Sequence, residues 1–251
     1  TFCLVGLIFC AVSSDKLDIV SYEFKTSKNV DTFTCLVISD YHHRSLNFSN
    51  GNMIDILKEQ DPVDYIFYTG DLIDSHTKSL DDISKIFDAG NSISDYSYFV
   101  TGNHEQYAPH FEQLLGLMRD KGVEPIRDWC VNVNEHFHIY GLEDARFKTG
   151  GGASFKARED ATMESLKQMT EHFDSNDFNI LLAHRPENFK KISDTYNFDL
   201  MISGHTHGGQ FKIGNWVPSS IALEEGEYKE WINTITATLL NSVLTHVRHC
   251  F

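Results

Sequence analysis

Five short clusters in this 251-residue sequence carry side chains that could do chemistry together: Asp40-Tyr41-His42, Gly70-Asp71-Leu72-Ile73-Asp74, Gly102-Asn103-His104-Glu105, His184-Arg185-Pro186 and Gly204-His205-Thr206-His207. Any one of them could merely cap a helix or start a turn. Together they supply oxygen and nitrogen donors and no cysteine: Asp40, Asp71, Asn103, His42, His184, His205 and His207. Seven such ligands suffice for two divalent ions if one carboxylate bridges. The donor set suits Mn, Fe, Zn or Co better than Ca or a purely oxygen-ligated Mg. Two such ions about 3.5–4 Å apart are the apparatus for in-line displacement at phosphorus, because they generate hydroxide at neutral pH and clamp the attacking and leaving oxygens. Two divalent ions against Asp40, Asp71 and a bridging hydroxide would leave a centre of about +1, which draws phosphate even into an acidic protein.

The elements that must position these clusters are legible in the hydropathy pattern. Strand-like runs precede each one: Phe33 to Ser39, Asp64 to Thr69, Tyr96 to Thr101, Phe178 to Ala183 and Phe198 to Ser203. Helix-like stretches lie between them, at Asn52 to Glu59, Leu80 to Phe87, His110 to Lys121, Arg158 to Phe173 and Pro186 to Thr195. Alternating strands and helices predict a layered α/β architecture. Ligands of such sheets bind beyond the carboxyl ends of the strands, so all five clusters are expected on one rim. His205 and His207 project to the same side of an extended or turning chain, and Gly208-Gly209 lets the backbone pass close by.

The ordered set Asp40-x-His42, Gly70-Asp71-x-x-Asp74, Gly102-Asn103-His104-Glu105, His184 and Gly204-His205-x-His207 resembles the calcineurin-like metallophosphoesterase superfamily, over residues 38–210. The resemblance implies an α/β (α+β) fold, a four-layer sandwich of two mainly mixed sheets flanked by helices. It implies that Asp40, His42 and His207 hold a first metal, that Asp71 bridges, and that Asn103, His184 and His205 hold a second. His104 is then no ligand; it sits over the scissile bond and steadies or protonates the leaving oxygen, with Asp74 orienting it. The implied reaction is hydrolysis of a phosphate mono- or diester, or of a pyrophosphate linkage, by a metal-bridging hydroxide. LLAHRPE (Leu181 to Glu187) and SGHTHGGQ (Ser203 to Gln210) look like the bacterial-type branch with an N-terminal membrane anchor, some of whose members act on UDP-2,3-diacylglucosamine. The Ser/Thr protein phosphatase branch fits less well, since it has Arg-Gly where this chain has Ser75-His76.

Other residues admit two readings. Arg185 could grip a substrate phosphate bidentately or form a structural salt bridge. His43 is of opposite strand parity to His42 and is a candidate for the pocket wall. Thr149 to Ser154 (TGGGAS) lacks the spacing of a phosphate-cradling loop and reads as a surface loop or a lid. Glu143 and Asp144 follow a strand-like run, but no second carboxylate pairs them as in a glycosidase. His110, His136, His138 and His172 lack motif context.

Composition bounds the rest. With 41% apolar and 23% charged residues the chain can bury a large core. Its 21 basic against 36 acidic residues give −15, which argues against a nucleic-acid partner and against a nuclease of the same fold. The five cysteines form no C-x-x-C pair. The apolar run in residues 1–14 reads as a signal or anchor remnant, too short to span a bilayer as it stands, with a buried first strand as the alternative. Residues 15–251 read as one domain. Membrane association or export is the expectation, with a cytoplasmic location as the alternative, and the expected substrate is a phosphorylated small molecule or a lipid-linked or nucleotide-sugar compound. Asn47-Phe48-Ser49 is a glycosylation sequon. Apolar spacing over Glu230 to Val247 is close to helical, although Thr234 to Thr238 is β-prone, so residues 217–251 are expected to diverge from the family, and a second sheet left incomplete by them would expose an edge. The rival to an enzyme is a non-catalytic scaffold of the same fold that binds a protein partner.

Overall fold

Residues 19–42, 50–206, 234–236 and 243–249 are described by the structure, a computed structural model. Their strands show a period-two alternation of apolar residues, and that alternation sorts the molecule into layers. In β2 (Thr34–Ser39), Cys35 and Val37 face one side while Leu36 and Ile38 face the other. In β3 (Tyr65–Tyr68), Phe67 faces the first side and Ile66 and Tyr68 the second. With both faces covered, these strands read as continuous apolar runs rather than half-polar ones.

Two sheets result. The first has the order β1 (Ile19–Phe24), β11 (Val243–His249), β2, β3, β4 (Tyr96–Phe99), β5 (Val123–Pro125). The pairs from β2 to β5 are parallel. The second has the order β10 (Thr234–Thr236), β9 (Leu200–Ser203), β8 (Phe178–Ala183), β7 (Phe137–Leu142), β6 (Trp129–Asn134). Its strands from β7 to β10 are parallel, and β6 runs antiparallel to β7.

A core of Cys35, Val37, Phe67, Tyr98, Ile139, Ile180 and Ile202, among others, fills the space between the sheets. Helices α1 (Asn50–Lys58), α2 (Asp81–Asn91) and α3 (Phe111–Lys121) cover the outer face of the first sheet through Met53, Leu57, Ile83, Phe87, Leu114 and Met118. A short α4 (Arg146–Thr149) precedes α5 (Phe155–Met169), which with α6 (Phe189–Thr195) covers the second sheet through Leu166, Phe189 and Ile192. This is the expected α/β sandwich of two sheets flanked by helices. The TGGGAS stretch links α4 to α5, and its Ser154 caps α5 by accepting from Ala157 N–H at 3.2 Å.

Of the two readings open for the carboxyl-terminal tail, helix-like apolar spacing and a β-prone run, the described residues take the second. Residues 234–236 and 243–249 are strands: β10 extends the second sheet beside β9, and β11 lies inside the first between β1 and β2. β-branched runs in this tail meet open backbone donors and acceptors, and pairing them outweighs a helix-like apolar spacing. Residues 1–14, His43, the sequon at Asn47 and His207 lie outside the described residues.

Phe33, just ahead of β2, joins the two sheets: its ring stacks on Phe137 at 5.1 Å and meets Phe178 at 6.0 Å and Tyr65 at 5.6 Å. Phe33→Ala is expected to lower the unfolding free energy by about 3–5 kcal/mol, read from the urea midpoint at unchanged m-value. A loss under ~1 kcal/mol would show that this aromatic cluster does not hold the sheets together.

Candidate metal centre

Each described cluster leaves the carboxyl end of a strand, and the two sheets present these ends side by side. The chain must turn sharply there, and it does so at the candidate residues themselves. Asp40, His42, Asp71 and His205 all take left-handed backbone, with φ of 55°, 48°, 54° and 74°. Such φ values cost on the order of 1–3 kcal/mol each and persist only where neighbours over-determine them.

Those neighbours are hydrogen bonds between strand ends. Asp40 N–H donates to Gly70 O at 3.0 Å and His42 N–H to Asp71 O at 2.8 Å. The Asp40 carboxylate accepts from His205 N–H at 3.0 and 3.1 Å, tying the first sheet to the second. Close approach requires glycine: a Cβ on Gly102 would collide with the Asp71 carboxylate, and one on Gly204 with Ser39 Oγ and Asp40 Oδ2.

Glu105, quoted in its motif without a role, is the strongest of these ties. Fully buried, its carboxylate accepts four backbone N–H groups: Asp71 at 2.9 Å and Gly102 at 2.8 Å on Oε2, Leu72 at 2.7 Å and Ile73 at 3.3 Å on Oε1. The loops after β3 and β4 are thereby wrapped around one side chain. Burial and the neighbouring Asp71 charge raise the Glu105 pKa, and the N–H groups pull against that rise.

The candidate ligands within the described residues come together around Asp71. Asp71 Oδ2 lies 3.0 Å from His184 Nε2 and 3.8 Å from His42 Nε2, and His42 Nε2 lies 4.0 Å from Asp40 Oδ1. Two groups have donor atoms within 4.8 Å of one another, His42 with Asp71 and His104, and Asp71 with His184 and His205. Asp71 is common to both. Burial alone would raise its pKa, but the charge and hydrogen bond of His184, helped by His42 and His104, hold it far below the usual carboxylate range.

A cation fits these donors on one specific observation. His184 Nδ1 is 2.8 Å from Thr69 O, so the ring N–H at Nδ1 donates to that carbonyl. Nε2 is then left buried, without a well-directed hydrogen bond, facing a carboxylate oxygen. Two lone pairs oppose each other there unless a positive charge lies between them. A proton meets that need when the ion is absent: burial would lower the His184 pKa, but Asp71 raises it to about 10.

His104 stands on the same rim. Its N–H donates to Asp71 Oδ1 at 2.7 Å and its ring meets that of His42 edge-on at 4.7 Å. No hydrogen bond between Asp74 and His104 is among the described contacts. Asp74 Oδ1 instead accepts from His76 N–H at 2.7 Å and from the Thr77 hydroxyl at 3.4 Å, closing its own turn. Asn103 and His205 lie against Arg185, whose guanidinium also pairs with Asp144 and Glu187. Asp144, set aside in the sequence for want of a second carboxylate, is thus a buried partner of a cation. Its one signal was position, since it too follows the carboxyl end of a strand.

Glu105→Gln turns one acceptor into a donor facing N–H groups. It is expected to cost about 1–3 kcal/mol of stability in a denaturant titration. Because both ligand loops loosen, cation affinity is expected to fall about 10–100-fold by calorimetry. Unchanged stability and affinity would remove Glu105 from its organising place.

Comparisons with known proteins find chains similar to this one. Among curated proteins, a metallophosphoesterase of Aquifex aeolicus described as uncharacterized is 32% identical over 62% of this chain and 56% of its own length. A transmembrane protein with metallophosphoesterase domain from Danio rerio is 25% identical over 82% of this chain and 47% of its own. This chain therefore spans about half the length of these relatives. Among solved structures, a dimetal phosphatase from Danio rerio covers 70% of this chain and 82% of its own at 15% identity, with a TM-score of 0.46. Residues 33–209 match the calcineurin-like phosphoesterase family, and the chain belongs to that family.

Proposed function

We propose that this rim is the active site of a metal-dependent phosphohydrolase that cleaves a phosphate mono- or diester with two divalent ions bound. One observation carries the reading: the Asp71 carboxylate belongs to both candidate donor groups, between His42 at 3.8 Å and His184 at 3.0 Å. The second ion is assigned to Asp71, Asn103, His184 and His205, and the first to Asp40, His42, Asp71 and His207. Divalent ions bound there supply Lewis acidity toward phosphoryl oxygens and lower the pKa of water.

The protein's own part is to aim and to protonate. Glu105 and the paired strand ends fix the donors before substrate arrives, so little reorganisation accompanies the reaction. His104 is assigned to deliver a proton to the leaving oxygen, a reading supported by its half-buried position beside His42. The −15 charge of the chain favours a small phosphorylated compound over a polyanion such as a nucleic acid. A pyrophosphate linkage in a nucleotide-sugar or lipid-linked substrate is the narrower assignment, supported by LLAHRPE and SGHTHGGQ. Membrane association is proposed from the apolar run in residues 1–14 and from the relatives named as transmembrane proteins. Among the described residues no helix is long and apolar enough to cross a membrane.

The test is a panel of monoesters, diesters and nucleotide-sugar diphosphates given to chelator-stripped and metal-restored protein. Turnover is expected only after metal is restored. Asp71→Asn or His184→Ala is expected to cut it by about a thousandfold or more, the scale of several kcal/mol that metal ions supply. Retained turnover in either variant would contradict the assignment. His104→Ala is expected to slow esters of poor leaving groups by about 10²–10⁴-fold and good ones far less. An equal loss for both would remove its role as the proton donor.

A further inference from the structure

The Arg185 guanidinium sits against Asn103 and His205, two of the four residues assigned to the second ion. Nε donates to Asp144 Oδ2 at 2.7 Å and Nη1 to Glu187 Oε1 at 2.8 Å, so two carboxylates clamp it. The side chain is 12% exposed. Its remaining directions reach two candidate ligands. Nη2 donates to Asn103 Oδ1 at 2.8 Å, and Nη1 lies 2.8 Å from His205 Nε2.

These contacts have a chemical meaning. A guanidinium has donors only and keeps its charge at any pH a protein tolerates. In the tautomer that pairs with Arg185, His205 Nε2 turns a lone pair toward it, as the Asn103 amide oxygen does; Glu187 Oε1, which accepts from Arg185 Nη1, lies 3.4 Å from the same nitrogen. An amide oxygen and an imidazole nitrogen are also the atoms through which Asn and His bind a divalent ion. Both are directed at a fixed positive charge. Burial would lower the Arg185 pKa, but Asp144 and Glu187 raise it, so the charge is secure. Among the described contacts Arg185 reaches Asn103 and His205 but has no hydrogen bond or ion pair with the shared Asp71, with His184, or with Asp40 and His42 of the first position.

We propose that Arg185 is a resident cation at the second position. An incoming ion must displace it from Asn103 and His205 rather than join it, so the protein holds one ion tightly and the other weakly, and Arg185 sets the gap. The inference rests on the metal-centre reading above. It gives Arg185 a role different from a phosphate clip, and it also differs from an ordinary supporting contact. A support makes the second ion bind tighter, whereas a competitor makes it bind more weakly.

That difference in sign is the test. Chelator-stripped full-length chain is titrated with manganese(II) by calorimetry, and bound ions are counted by electron paramagnetic resonance. The wild-type chain is expected to bind one ion tightly and a second at least about tenfold more weakly, and Arg185→Met to tighten the second about 10–100-fold, the scale of outer-shell effects on metal sites. Affinity for the first ion is expected to stay unchanged. An unaltered second affinity in Arg185→Met overturns the proposal, and so does a weaker one, which would make Arg185 a support. Removing Arg185 leaves Asp144 buried without its partner, which threatens folding. If Arg185→Met does not fold, the double variant with Asp144→Asn is titrated in its place, with the same expected signs. No manganese bound by the wild-type chain would sink the metal-centre reading and this inference with it. Two ions bound with affinities indifferent to Arg185 would sink the inference alone.

Discussion

Four backbone N–H groups from two loops end on one buried carboxylate, Glu105, and the geometry of the rim follows from that convergence. Unpaired, each of those N–H groups would cost about 1–3 kcal/mol in the interior. Paired with the same side chain, they force the loop after β3 against the loop after β4. The left-handed backbone at Asp71 is held by this constraint, and with it the direction of the Asp71 carboxylate. The bond from His205 N–H to Asp40 and that from His184 Nδ1 to Thr69 O then carry the arrangement across to the second sheet. The centre is thus assembled at the seam between two sheets, each of which supplies part of it.

Much of this was legible in the chain because it follows from local rules. Strand-length apolar runs ending in Asp, Asn or His mark the carboxyl ends of parallel strands, and five such endings point to one rim. The layers followed from strands alternating with helices, and the structure buries the strands on both faces, as in Cys35 and Val37 against Leu36 and Ile38. The helices were read in the right places with ends shifted by a few residues, since capping decides ends more than periodicity does.

What escaped the reading depends on contacts distant in sequence. Glu105 gains its meaning from three N–H groups 32–34 residues away and one three residues away, and no spacing rule announces a side chain that binds backbone. Asp144 is buried through Arg185, whose partners come from four different strand ends. The Asp74 carboxylate accepts from the N–H of His76 two residues away, a local bond that the motif spacing does not announce. The tail became strands because β2 and β9 had edges to pair, a tertiary opportunity that apolar spacing does not reveal.

The central claim is that Asp71 is shared between two cation positions. The most direct measurement is the anomalous scattering of manganese in crystals of the metal-loaded protein. The account predicts two peaks, both bonded to Asp71, one on the His42 side and one on the His184 side. Peaks remote from Asp71, or a single peak that no Asp71 oxygen contacts, would contradict it.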